Sequence, residues 1–279
     1  LLKRARDCGA CGVIVNTGRY ITEVPQEVID YCLSVHLPLF AMPWEIHIAD
    51  LMQHYCNAIL NEKRISTRRN DLLGKLLGSA RPEPEDTSAL TPSFPCILCA
   101  SEEKLQIPGV PCYAETFLHR IWYTLFESSA KGFSFLTHED LPAAGASRPF
   151  TDINAIPNAG TQALRACQTN RIRNVSGCTH FDDIGLYYAA LSIKDPEVFA
   201  EARRLLSPVR DEELRTTLRL YLECQGSIKE VAEQMFLHRN TINYRIQQIH
   251  DVLDLDSPEK RMEYLFAFYL CDVGNSTFL

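Results

Sequence analysis

Residues 237–253 read LHRNTINYRIQQIHDVL. Leu237, Ile242, Ile246, Ile249 and Leu253 recur at helical spacing and predict a helix with one apolar face. Between them stand Arg239, Asn240, Thr241, Asn243, Tyr244, Arg245, Gln247 and Gln248, and the first carboxylate is Asp251. The apolar stripe belongs against a neighbour, which turns the polar residues outward. Solvated helix faces usually mix Glu with Lys for solubility, and this one has neither.

The flanking sequence supplies the neighbours. Upstream, Ser227-Ile-Lys-Glu230 has the form of a capping box, in which the Ser hydroxyl accepts from the Glu amide and the Glu carboxylate reaches back. The helix it opens, SIKEVAEQM, turns Ile228, Val231, Ala232 and Met235 inward, and the small Ala232 admits another helix at close range. Phe236-Leu237 is a tight connection. Before this pair, DEELRTTLRLYLECQ (211–225) carries Leu214, Leu218, Leu220 and Leu222 on a helical pattern and ends at Gly226. After it, SPEKRMEYLFAFYL (257–270) starts at Ser257 with Pro258 at the first helical position and presents Met262, Leu265, Phe266 and Tyr269 to close the bundle. Two helices joined by a turn of about three or four residues form the helix-turn-helix arrangement.

The outward face then has the chemistry of a DNA reader. Arg pairs with guanine, Asn and Gln with adenine, and Thr and Tyr bond phosphates. The candidate contacts to double-stranded DNA are His238, Arg239, Asn240, Thr241, Asn243, Tyr244, Arg245 and Gln248, with Arg245 free either to meet phosphate or to brace the fold. One such motif reads few base pairs, so a homodimer on two half-sites is expected.

The remainder of the chain is α/β. CGVIVN (11–16), PQEVIDYCLSVH (25–36) and LPLFAM (37–42) predict a parallel strand–helix–strand unit, and a long helix follows from Ile46 to about Leu77. SARPEPEDTSALTPSFP (79–95) has the composition of a linker. PCILCAS predicts a strand, YAETFLHRIWYTLFESSA (113–130) an amphipathic helix, GFSFLT (132–137) a strand, AAGASRPFTDINAIPNAG (143–160) irregular chain, and residues from Thr161 onward mostly helix.

Composition sets outer limits. The chain has 279 residues, 46% hydrophobic and 23% charged, with net charge -7. No generally polyanion-binding surface is implied, so any nucleic-acid contact is expected to be local. No apolar run of about 18 residues exists to span a membrane. The chain opens on Leu1 in helix-like sequence and is expected to be a piece of a longer protein. Its 11 cysteines are scattered singly and read as reduced thiols, with Cys8-Gly-Ala-Cys11 and Cys96-Ile-Leu-Cys99 too far apart to form one zinc site. In a strand, Cys96 and Cys99 point to opposite faces. His47, Asp50 and His54 share a helix face but lack further ligands, and Asp182 and Asp183 read as a helix cap. No phosphate-binding loop, H-E-x-x-H or nucleophile elbow occurs, so no catalytic residue, metal site or cofactor is assigned.

GSIKEVAEQMFLHRNTINYRIQQIHDVLDLDSPEKRMEYLFAFYL (226–270) resembles the C-terminal helix-turn-helix of PucR/CdaR-type bacterial transcriptional regulators, whose His-Arg-Asn-Thr run and following Arg stand here as His238–Thr241 and Arg245. GRYITEVPQEVIDYCLSVHLPLFAMPWEIHIADL (18–51) is similar to the second half of that family's PucR sensory domain. HFDDIGLYYAAL (180–191) resembles the end of the family's degenerate GGDEF-like domain, with no Gly-Gly-Asp/Glu-Glu-Phe signature anywhere. The resemblance implies a multi-domain chain: a partial sensory domain with trailing helix over 1–64, helix end and linker over 65–95, a degenerate GGDEF-like α/β domain over 96–200, and an all-α helix-turn-helix bundle over 201–279. It implies a cytoplasmic, sequence-specific DNA-binding regulator of a catabolic operon, responsive to a small-molecule effector, and no enzyme. The competing readings are a relative that folds and dimerises without binding DNA and, behind it, a metal-dependent enzyme.

Overall fold

The structure is a computed structural model that describes residues 1–78, 90, 95–107, 109–128, 132–137 and 141–276. The proline-rich stretch 79–95 lies, Leu90 and Pro95 apart, outside the described residues. The chain divides into two compact units, Leu1–Thr67 and Arg68–Leu279.

In the first unit a short α1 (Leu2–Asp7) precedes β1 (Val13–Thr17), α2 (Gln26–Ser34) and β2 (Leu39–Pro43). The two strands are parallel, with Val13 opposite Leu39 and Thr17 opposite Pro43. This is the expected strand–helix–strand unit, with Cys32 the buried residue of α2. The 30-residue α3 (Ile48–Leu77) begins here and runs into the second unit.

The second unit is built on a five-stranded sheet of β3 (Cys96–Ser101), β4 (Ala114–Leu118), β5 (Ile121–Glu127), β6 (Ala144–Ala146) and β7 (Cys178–His180), in the order β4-β5-β3-β6-β7. β3 is central and buried throughout. Strand alternation sends Cys96, Leu98 and Ala100 to one side, where they pack with Leu72, Leu73 and Leu76 of α3 and with α4 (Ile156–Arg173). Ile97 and Cys99 go to the other side, with Leu105, Phe126 and Phe135. The two cysteines therefore face opposite ways, as the strand reading required. Asn170, fully buried, donates from Nδ2 to the carbonyls of Ala144 (2.9 Å) and Gly177 (2.7 Å) and accepts from Thr179, which ties the end of α4 to β6 and β7.

Three expectations in this region are corrected. The expected helix over 113–130 is not formed: residues 113–128 hold the β4–β5 hairpin, with Phe117 paired to Trp122 and Leu118 to Ile121, and 129–130 lie outside the described residues. Apolar pairs flanking a two-residue turn have the same spacing as a helical stripe, so periodicity alone misleads, whereas the β-branched and aromatic content favours strands. GFSFLT is a 3-10 turn over Ser134–Thr137 rather than a strand, and it buries Phe135 and Leu136 beneath the sheet. The stretch 143–160 is not irregular throughout, since it contains β6 and the first turn of α4, which starts at Ile156 rather than Thr161.

A second core runs from Tyr187 to Val273 through α5 (Tyr187–Ser192), α6 (Pro196–Leu206), α7 (Glu212–Glu223), α8 (Ile228–Met235), α9 (Arg239–His250) and α10 (Pro258–Asn275). The α/β segments are thus followed by a helical bundle. In α10 the buried residues are Tyr264, Ala267, Phe268, Leu270 and Val273, with Leu265, Phe266 and Tyr269 on their flanks. Met262, expected inward, is exposed, because the helix sits rotated toward the Tyr264–Phe268 row.

Gly145 marks the tightest approach in the sheet. A Cβ there would lie 2.0 Å from the Cys167 nitrogen and 2.2 Å from the Ala163 carbonyl oxygen, both backbone atoms of α4. Gly145→Ala is expected to cost about 3 kcal/mol or more, since a backbone neighbour cannot rotate away. Chemical denaturation measures it, and an unchanged midpoint would contradict the close packing.

Candidate nucleic-acid interface

The helix-turn-helix is positioned by local hydrogen bonds. α7 opens at Asp211, whose carboxylate accepts from the Leu214 amide (3.0 Å). α8 opens at Ser227, whose hydroxyl accepts from the Glu230 amide (3.4 Å). The reciprocal half of the expected capping box is not made: the Ser227 amide donates to the Cys224 carbonyl (3.0 Å). α8 ends at Phe236, in left-handed conformation (φ 54°, ψ 39°) and 94% exposed. The Leu237 amide donates back to the Ala232 carbonyl (3.0 Å), and the turn is complete within two residues.

His238 then caps α9, with its Nδ1 accepting from the Asn240 amide at 3.2 Å. Its ring is thereby committed to the helix start, a role that the sequence reading did not separate from DNA contact. Ile242, Ile246 and Ile249 are buried, with Leu253 beyond the helix end. They pack in one core with Leu218 of α7 and Val231 of α8.

The exposed side of α9 is organised in two rows four residues apart. Arg239, Asn243 and Gln247 form one row, and Asn240, Tyr244 and Gln248 the other, and all six are exposed. Gln247 was absent from the sequence-derived candidates. Its position four residues after Asn243 is the signal that would have included it. Thr241 is also exposed, near the helix start. Gln248 donates to the Tyr244 hydroxyl at 3.4 Å. Among the described residues the side chains of Arg239, Asn240 and Asn243 have no intrachain partner. The first turn of α9 holds no acid, so the positive end of the helix dipole adds to the Arg239 charge.

Arg245 stands apart. Its side chain is 17% exposed and turned toward α7, where Nη1 donates to Thr217 Oγ1 (3.3 Å) and the guanidinium pairs with Glu213. Thr217 is fully buried. Of the two roles open to Arg245 in the sequence, the free chain holds it as a brace between α9 and α7.

The other candidates disperse. Asp50 and His54 are exposed on α3, and among the described residues no group of three or more His, Cys, Asp or Glu could hold a metal ion. Asp182 is not a cap: its carboxylate accepts from Arg148 at 2.7 Å, 34 residues away in sequence. No helix among the described residues is long and apolar enough to cross a membrane.

Comparison with known proteins adds to this geometry. Residues 214–270 match the PucR C-terminal helix-turn-helix domain, and residues 1–59 match the purine catabolism regulatory protein-like family. The proline-responsive transcriptional activator PutR of Bacillus subtilis is 36% identical over 85 residues, which is 28% of this chain and 21% of PutR. The purine catabolism regulatory protein of the same organism is 28% identical over 120 residues, 40% of this chain and 23% of that one. An uncharacterised protein from the pkwA 5' region of Thermomonospora curvata is 40% identical over 82 residues, 27% of this chain and 46% of the other. The chain thus matches less than half the length of each of these relatives.

If Arg245 is a brace, its loss is felt without DNA. Arg245→Ala is expected to cost about 1 kcal/mol, given that Glu213 is well exposed. The melting temperature of the free chain then falls by roughly 2–4 °C. An unchanged melting temperature together with weaker, less salt-dependent DNA binding would assign Arg245 to a phosphate instead.

Proposed function

We propose that this chain, which carries a PucR-type helix-turn-helix at one end and a purine-catabolism-regulator-like segment at the other, is a sequence-specific DNA-binding transcriptional regulator. The observation that carries the reading is the exposed face of α9, rich in Arg, Asn, Gln and Tyr and free of carboxylates, on a helix whose opposite face is locked into the core. The N-terminal end of α9 enters the major groove. Arg239, Asn240, Asn243 and Gln247 reach base edges, while Thr241, Tyr244 and Gln248 meet nearby edges or phosphates. The protein acts in the cytoplasm, without catalysis or cofactor, and controls a catabolic operon in response to a small-molecule effector. The relatives named as a proline-responsive activator and a purine catabolism regulator support that kind of role. In this reading the domains are a sensory piece over 1–64, a linker over 65–95, a degenerate GGDEF-like domain over 96–200 and the DNA-binding bundle over 201–279.

The net charge of -7 makes non-specific attraction to DNA weak, so one small motif needs a second copy on a second half-site. α3 offers a seam for that copy. Ile48, Met52, Tyr55 and Ile59 recur at alternating spacings of four and three, and all are exposed. This is the register of a two-helix coiled coil. Met52→Glu with Ile59→Glu is expected to yield a monomer in sedimentation and to weaken operator binding, and a dimer that survives both changes would move the interface elsewhere.

Selection from random duplex DNA, followed by fluorescence anisotropy, tests the main reading. A palindrome is expected to be enriched. Arg239→Ala with Asn240→Ala is expected to remove sequence preference while leaving stability within about 0.5 kcal/mol, as for other surface changes. Full retention of preference by the double variant would defeat the assignment of α9.

A further inference from the structure

The second compact unit holds a cleft of about 770 Å³ between the tip of the β4–β5 hairpin and the C-terminal half of α4. That size lies within the range of small-molecule sites. Phe117, Ile121 and Leu164 form its apolar wall. Its polar groups are Glu102, His119, Arg120, Tyr123, Gln168 and Arg171.

Three features distinguish the cleft from an incidental groove. The hairpin turn places two consecutive non-glycine residues in the left-handed region, His119 at φ 49° and Arg120 at φ 67°. Turns of this form favour Asn-Gly or Gly-Gly, so side chains are held here against the backbone preference. Both line the cleft, and neither has a hydrogen-bonding or ionic partner among the described residues. Next, Gln168 keeps its Oε1 buried without any donor, a loss that folded proteins rarely tolerate. Gln168 lines the cleft, and a turn about its last side-chain torsion, which is soft, would bring that oxygen to a ligand. Finally, Arg171 and Glu102 form an ion pair, so the polar side of the cleft presents charges of both signs.

These charges select among ligands. A phosphate or dicarboxylate would gain Arg120 and Arg171 but meet Glu102, and it would leave the Gln168 oxygen unmatched. A simple amine would meet two guanidinium groups. A zwitterion suits Glu102, Arg120, Gln168 and Arg171 together: its carboxylate would lie between Arg120 and Arg171, and its ammonium would donate to Gln168 Oε1 and Glu102. We propose that this cleft binds a free α-amino acid, with an apolar side chain lying against Phe117, Ile121 and Leu164. Tyr123 also lines it, and burial pushes its phenol up to about 12, so it stays neutral and adds no competing charge. The proposal does not depend on DNA reading by α9 and is tested without DNA.

The experiment is isothermal titration calorimetry of the full chain with each standard L-amino acid up to the millimolar range. At least one apolar amino acid is expected to bind with one site per chain. Its decarboxylated amine and its deaminated acid should each bind about tenfold more weakly or worse, because charge-assisted hydrogen bonds are lost. Gln168→Leu should weaken binding similarly. Arg120→Gly separates ligand binding from fold maintenance: glycine relieves the left-handed turn, so the melting temperature of the free chain rises while affinity falls by about tenfold or more. Absence of heat with every amino acid, or affinity unchanged in both variants, would overturn the proposal. A melting temperature lowered by Arg120→Gly would show that Arg120 serves the fold, and would overturn it equally.

Discussion

The burial of Ile242, Ile246 and Ile249 is the constraint on which the functional reading depends. A helix of 12 residues is marginal alone in water, so α9 exists because its stripe joins the core made with α7 and α8. That same burial decides which residues are left outside. The side chains at 239, 240, 243, 244, 247 and 248 face solvent because the isoleucines cannot. Arg245, on the other flank of the stripe, is turned back to Thr217 and Glu213, which fixes the rotation of α9 against α7. The caps at Asp211, Ser227, His238 and Ser257 set where each helix begins.

The bundle is joined to the sheet by named contacts rather than by chain connectivity alone. Arg165 of α4 donates to the Leu191 carbonyl at the end of α5. Tyr187, on the same short helix, donates to Asp272 of α10 at 2.7 Å, and Arg219 of α7 grips both carboxylate oxygens of Asp272 at 2.8 and 3.1 Å. Burial, together with the Asp272 carboxylate, raises the Tyr187 phenol well above its usual range, so the group stays protonated and keeps donating. This network links α4, which lines the cleft, to α7, which packs against α9. Physical continuity of this kind is a route for coupling, and the coupling energy is a separate quantity.

How legible each part was follows from how local its determinants are. The helix-turn-helix could be read because a 3.6-residue period, an S-x-x-E start and a Ser-Pro start are short-range signals. The β4–β5 hairpin could not, because Phe117-Leu118 and Ile121-Trp122 have one spacing that suits a helix and a hairpin equally. The turn lacked the Gly or Asn that would have decided between them. β6 was invisible in Ala-Gly-Ala, whose place is set by the approach of Gly145 to the backbone of α4. Within the site, the apolar stripe and the composition of the outer face were readable. The capping role of His238 and the inward turn of Arg245 depend on side-chain direction, which spacing does not carry. The cleft joins Glu102, the hairpin tip and α4, residues that only the fold brings together.

The most direct measurement is the crystal structure of the full chain on its selected duplex. The account places the Arg239–Asn243–Gln247 row against base edges in the major groove, with Arg245 still held by Thr217 and Glu213. A complex in which α9 lies away from the groove, with DNA contacting another surface, would contradict it.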